Sequence, residues 1–173
     1  AMNPAALITQ LPDLVEGGVI VVDADAFTPK NLTRAGYASN PLEDGSLDGY
    51  RLFNIEITKQ VLESVKPFGL SHKFAVRCKN MWTLGLVMWL FDRPREATID
   101  GLKTKFASKP DIADANIAAL NAGHAYGETA ELPSGLEIYK VPRAEVTPGL
   151  YRNTTGTEAL SYGLVAGGLL ADV

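Results

Sequence analysis

The order of apolar patterns in this sequence predicts an α/β fold, with parallel strands first and a helical part after them. Three observations carry that expectation. Val19-Ile20-Val21-Val22 is an unbroken β-branched run without alternation, the pattern of a strand covered on both faces. Arg51 to Thr58 supplies a second, alternating strand-like stretch, and most of the chain beyond Thr58 has helical spacing. The most apolar stretch of all, Met81 to Phe91, lies in that helical half and is apolar all round, which predicts a helix buried between layers. At about eleven residues it is too short to cross a bilayer, which takes roughly 20.

Composition narrows the class. A chain of 173 residues is long enough to bury a real core, and 46% hydrophobic with 21% charged residues is ordinary for a globular protein. A net charge of -4 with no basic stripe argues against nucleic acid as a partner. The single cysteine, Cys78, forms no internal disulfide and holds no iron–sulfur cluster alone, and that usage suits a reducing cytoplasm. Ala1-Met2-Asn3-Pro4 has neither the basic region nor the apolar core of a signal peptide.

Each element has its own signal. Asn3-Pro4 predicts a cap and first helical residue for a short helix to Gln10. Gly17-Gly18 precedes the Val19 strand, which ends at Asp23. Thr28-Pro29 starts another short helix that Gly36 ends, and residues 37–50 form a loop rich in Asn, Pro, Asp and Gly. Val61, Leu62, Val65 and Phe68 are spaced for a helix before Gly69. Ser71 then predicts the N-cap of one long helix running to Phe91, stopped by Asp92-Arg93-Pro94. Thr98 caps the next, with Ile99, Leu102 and Phe106 inward. Pro110-Asp111 starts a long helix with Ile112, Ala115, Ala119, Leu120 and Gly123 on one face and Gly127 as its terminal glycine. From Glu131 the composition changes to a proline- and glycine-bearing linker around one strand-like run, Leu136 to Val141. Ala159 to Ala171 reads as a last helix, rich in alanine, leucine and glycine. It has no predicted element left to pack on, which suggests a piece of something longer.

Candidate chemistry is sparse. Ligands in open α/β sheets bind beyond the carboxyl ends of strands. That rule singles out Asn3, placed as if just after a preceding strand, together with Asp23 and Asp25. The plainer reading makes Asn3 and Thr28 helix caps and the aspartates strand terminators. Lys79-Asn80 at the polar mouth of the apolar helix could donate to a phosphate or carboxylate, or form a solvated or interface face. Cys78 between Arg77 and Lys79 reads either as an activated thiol or as a small buried residue. His72 and His124 fall on separate helices without metal-ligand spacing, and no dinucleotide, phosphate-loop or nucleophile-elbow motif is present.

A set of short motifs, in order, is more specific. Asn3-Pro4-Ala5-Ala6-Leu7, Asp25-Ala26-Phe27, Asn40-Pro41-Leu42, Lys79-Asn80-Met81, Lys105-Phe106-Ala107 with Lys109-Pro110, Tyr126-Gly127-Glu128-Thr129 and Tyr151-Arg152 with Thr154-Thr155-Gly156 resemble the alpha subunit of 2-oxoacid:ferredoxin oxidoreductases. The likeness is to the 2-oxoglutarate type, in which a gamma domain is fused ahead of the alpha domain. It implies that residues 1–130 are the C-terminal part of a Rossmann-like gamma domain. Residues 131–150 would be a linker, and 151–173 the start of a thiamine pyrimidine-binding domain. The resemblance further implies a parent complex with a beta subunit that carries thiamine diphosphate and magnesium. An iron–sulfur cluster, ferredoxin as electron acceptor and coenzyme A as acyl acceptor complete it. The family's glycine-rich loop, its Tyr-Pro-Ile-Thr-Pro motif and its catalytic glutamate have no counterpart here, so no catalytic residue carries over. Glu158 reads as a helix-start residue. Weak coenzyme A or substrate contacts are expected at Asn3, Asp25, Lys79 and Asn80. The piece alone is expected to be inactive. A free-standing α/β module for coenzyme A or a nucleotide, and a purely structural interface domain, are the alternatives.

Overall fold

The computed structural model describes residues 1–129, 139–142 and 144–171, divided between two units, Ala1–Val141 and Pro142–Val173. In the first unit the Asn-Pro signal works as expected. Helix α1 (Pro4–Gln10) has proline at its start, and Asn3 Oδ1 accepts the Ala6 N–H at 2.8 Å. Strand β1 (Val19–Asp23), a 3-10 turn (Ala24–Ala26) and helix α2 (Pro29–Ala35) follow; Thr28 caps α2 and Gly36 ends it. Strand β2 (Arg51–Ile55) runs parallel to β1, with Val19 beside Arg51 and Asp23 beside Ile55.

The unbroken apolar run of β1 meets two cores. Ile20 and Val22 pack with Leu7, Phe27, Leu32 and Leu47 on one side. Val19 and Val21 face the larger cluster of Phe53, Ile55, Ile57, Val61, Trp82 and Leu86 on the other.

Two predicted boundaries move. The stretch from Arg51 to Thr58 is strand only to Ile55; Ile57 and Thr58 open helix α3 (Ile57–Val65). Ile57, Val61 and Val65 are all buried at a spacing of four, so the helical face begins one turn earlier than Val61. After a 3-10 turn (Lys66–Phe68), the expected single helix from Ser71 is two: α4 (His72–Arg77) and α5 (Lys79–Leu90). The joint is Cys78, whose ψ of -8° departs from a helix and whose N–H bonds three residues back to the Ala75 carbonyl. Ser71 has extended backbone but makes no capping hydrogen bond through its side chain. The joint has a consequence: Lys79 stands at the start of a helix, not in the middle of one.

Helix α6 (Glu96–Lys105) starts before Thr98, which therefore lies in its first turn and is not its cap. Helix α7 (Pro110–Thr129) buries Ala115, Ala119, Leu120 and Gly123, the face that the spacing predicts. Gly127 is not a terminal glycine. The helix continues past it, and a Cβ there would lie 2.4 Å from the Trp89 ring. Helices α5 and α7 touch backbone to backbone. A Cβ on Gly85 would sit 1.9 Å from the Leu120 carbonyl oxygen, and one on Gly123 1.8 Å from that of Trp82. Trp82, 1% exposed, packs against Tyr126 at the same junction, with ring centroids 5.1 Å apart and planes tilted by 56°. The expectation of a helix enclosed on every side fails at one point: Val87 of α5 is 39% exposed.

The run Leu136 to Val141 lies mostly outside the described residues; Tyr139, within them, donates its N–H to the Leu90 carbonyl at 2.7 Å. In the second unit, helix α8 (Gly156–Leu170) starts three residues ahead of Ala159 because Thr155 and Glu158 form a reciprocal capping box. No residue of α8 is buried. No described helix is long and apolar enough to cross a membrane.

The capping box makes α8 sensitive to acid. The Thr155 N–H first, and its hydroxyl second, hold the Glu158 carboxyl below the usual carboxylate range. A depressed acid stabilises above its unfolded value of about 4.3 and loses that contribution as pH falls through the folded value. Amide exchange in the first turn of α8 will therefore accelerate as pH is lowered through that window, relative to the other helices. Thr155→Ala keeps the N–H and loses the hydroxyl, so it will weaken the pH dependence without abolishing it and cost the helix about 1 kcal/mol.

Candidate functional site

Three elements converge at the carboxyl end of β1: the strand itself and the N-termini of α3 and α5. Asp23, the last strand residue, is fully buried. Its Oδ1 accepts the Thr58 N–H at 3.2 Å; its Oδ2 accepts the Thr58 hydroxyl at 2.8 Å and the Lys79 ammonium at 2.9 Å. Two residues on, Asp25 Oδ2 accepts the Lys59 N–H at 2.9 Å. Glu56, next to α3, makes no cap of its own. The two aspartates of the strand end thus cap α3 from a distance of more than thirty residues in sequence, where the helix dipole favours negative charge.

Four of the predicted positions thereby have definite places in the fold. Lys79, with its side chain 20% exposed, reaches a carboxylate of the chain itself, so its ammonium is engaged internally. Asp25 is exposed but committed to Lys59, and Asn3 caps α1. Asn80 is exposed at the start of α5. Asp23, Asp25 and Lys79 are brought together; Asn3 belongs to a neighbouring feature. Along with Pro4, Ala5, Asn31, Arg34 and Ala35 it lines a cleft of about 450 Å³ between α1 and α2. Asn31 donates to the Ala26 carbonyl at 2.9 Å, and Arg34 has no ion-pair partner among the described residues. Sequence reading missed Asn31 and Arg34, although their separation of three puts them on one face of α2.

The remaining candidates lie apart from both features. Cys78 is 1% exposed, and burial pushes its thiol up from the ordinary value, which settles the choice in favour of a small buried residue. His72 is exposed, and among the described residues His124 pairs with Glu128, 3.3 Å away on its own helix. Among the described residues no three potential ligands cluster as a metal site would need. The cleft beside Asn3 brings an arginine and amide side chains, which are hydrogen-bond donors, to one place.

The family model for pyruvate ferredoxin/flavodoxin oxidoreductase matches residues 1–126, well over half of the chain. The chain belongs to that family. A curated relative, the 2-oxoglutarate oxidoreductase subunit KorA of Mycobacterium tuberculosis, is 45% identical over 171 residues. The match covers 99% of this chain but 26% of the relative, so the chain spans about a quarter of that protein's length. Among solved structures, the 2-oxoglutarate:ferredoxin oxidoreductase from Magnetococcus marinus, with 2-oxoglutarate, coenzyme A and succinyl-CoA bound, matches at a TM-score of 0.53. That match covers 84% of this chain and 21% of the other; at 20% identity it is a likeness of fold.

Proposed function

We propose that this chain forms part of the alpha subunit of a 2-oxoacid:ferredoxin oxidoreductase of the 2-oxoglutarate type. The observation that carries the reading is the 45% identity to KorA along 99% of the chain. The enzyme converts a 2-oxoacid and coenzyme A to an acyl-CoA and carbon dioxide, passing electrons to ferredoxin. In this reading residues 1–130 close a gamma domain, 131–150 link it onward, and 151–173 start the pyrimidine-binding domain. The beta subunit is the direct partner, in the cytoplasm.

The described residues do not fit the complex's metal groups: they contain no three-ligand cluster and one buried cysteine. In this reading thiamine diphosphate, magnesium and the iron–sulfur cluster belong to other parts of the assembly. What this piece supplies is packing, subunit contact and a share of the coenzyme A pocket. The cleft beside Asn3 is the part best suited to an anionic group, through the Asn3 amide and the Arg34 guanidinium. Lys79 holds the strand end through Asp23, Asp25 caps α3, and Asn80 is free to meet a ligand or a subunit.

In the assembled oxidoreductase, Arg34→Ala will raise KM for coenzyme A about tenfold, as expected for a lost charge-assisted hydrogen bond, with kcat little changed. An unchanged KM would remove the cleft from the coenzyme A pocket. The chain of 173 residues by itself will form no acyl-CoA from 2-oxoglutarate with an electron acceptor; turnover by it would overturn the assignment as a non-catalytic part.

A further inference from the structure

The last four carbonyls of a helix have no partner inside it, and each must find one elsewhere. In α5 they belong to Val87, Met88, Trp89 and Leu90. The Phe91 N–H donates to the Val87 carbonyl at 3.0 Å, the Asp92 N–H to that of Trp89 at 3.1 Å and the Arg93 N–H to that of Met88 at 2.7 Å. The last two bonds form a Schellman turn, with Asp92 left-handed at a φ of 49°, where glycine is the usual residue. The Leu90 carbonyl lies outside that turn. Leu90 is buried, so the group would be costly to leave unmet. Its donor, at 2.7 Å, is the N–H of Tyr139, which follows α6 and α7 in the chain.

Tyr139 makes two further contacts with the same region. Its ring packs on Phe91, with centroids 5.5 Å apart and planes tilted by 30°, and its hydroxyl accepts a hydrogen bond from Arg51 Nη2 at 3.0 Å. Arg51 opens β2, and its Nε donates to the Gly17 carbonyl at 3.2 Å. One residue thus joins the end of α5 to the start of β2 through backbone, ring and hydroxyl. Lys140 and Val141, which follow it, are exposed, and the first unit ends at Val141.

We propose that Tyr139 is a latch: it fastens the chain to the first unit a second time, so that the connection to α8 starts after Val141 and not at the end of α7. Each residue held on the unit shortens the reach of that connection by up to about 3.5 Å. A shorter connection raises the effective concentration of the parts it joins for one another. The three contacts reinforce each other, because the backbone bond fixes the Cα from which the ring and hydroxyl extend. The latch also couples the connection to the core, since releasing it strips the buried Leu90 carbonyl of its donor. It rests on the geometry of Tyr139, independently of the enzyme assigned above.

Trypsin cuts after lysine, which places a reporter at Lys140, one residue past the latch. The whole chain is digested briefly, and cleavage at Lys140 is read by mass spectrometry against a synthetic peptide of the same local sequence for each variant. Tyr139→Ala should speed that cleavage about tenfold or more, and Tyr139→Phe, which loses only the bond from Arg51, about threefold. Phe91→Leu, which removes the ring partner and keeps an apolar side chain, should speed it from the other side of the contact. Cleavage at Lys103 in α6 should stay unchanged. If it rises in Tyr139→Ala as well, the unit has unfolded and Tyr139→Phe decides: a rise at Lys140 alone supports the latch, and no rise overturns it. Cleavage at Lys140 that Tyr139→Ala leaves unchanged would overturn it too.

Discussion

Replacing Gly123 by alanine will destabilise the protein by about 3 kcal/mol or more, at the upper end of what overpacking costs. The new methyl group would sit 1.8 Å from the Trp82 carbonyl oxygen, and a backbone atom cannot rotate away as a side chain can. Relief requires α5 and α7 to move apart, which loosens Trp82 from Tyr126 and opens the larger core. Gly85→Ala meets the Leu120 carbonyl in the same way and will cost a similar amount. The control is Gly101→Ala. That glycine lies inside α6, and a Cβ there would meet nothing within 4 Å. There the better helix propensity of alanine should raise stability by up to about 1 kcal/mol. Urea unfolding of the three variants would read the contrast. If Gly123→Ala were as well tolerated as Gly101→Ala, the backbone contact between the helices would be wrong.

Removing the partner of a fully buried charge has an effect of the same size. Lys79→Met keeps the length of the side chain but leaves Asp23, fully buried, without its cation; the expected cost is about 3–5 kcal/mol. Hydrogen bonds from Thr58 remain but cannot replace the ammonium. Asp23→Asn will cost less, about 1–3 kcal/mol, because Lys79 is partly exposed and can turn to water. In the double variant no buried charge is left unpaired, so its loss will be smaller than the sum of the two singles. A double-mutant cycle measures that coupling directly. Strict additivity would mean that the 2.9 Å contact contributes nothing.

The candidate site was legible in part, and the reason differs residue by residue. Asn3 as a cap, Thr28 as a cap and Gly36 as a stop are local chemistry, and each is found where a few neighbouring residues specify it. Asp23 and Asp25 stand out as residues at a strand end, but their work on α3 depends on Thr58 and Lys59, which lie over thirty positions away. Lys79 is recognisable as a cation at the mouth of the apolar helix. Its partner is not, because the break at Cys78 that turns it toward Asp23 has no proline or glycine to announce it. Thr98 and Gly127 look like helix ends and are not, for a related reason. Each has the residue type of a cap, while the helix boundary is decided by packing elsewhere.

The order of elements, the parallel character of β1, the inward faces of α3 and α7 and the membership of the family were all set by the sequence itself. Those features rest on residue type repeated at short spacing, and hydrophobic burial acts on such repeats directly. Tertiary structure alone decided the split of the apolar helix, the pairing of Lys79 with Asp23 and the contact of Gly85 and Gly123 with opposing carbonyls. These depend on which distant backbone comes within a few ångströms. No local spacing encodes that distance; it is fixed only when the whole core has closed.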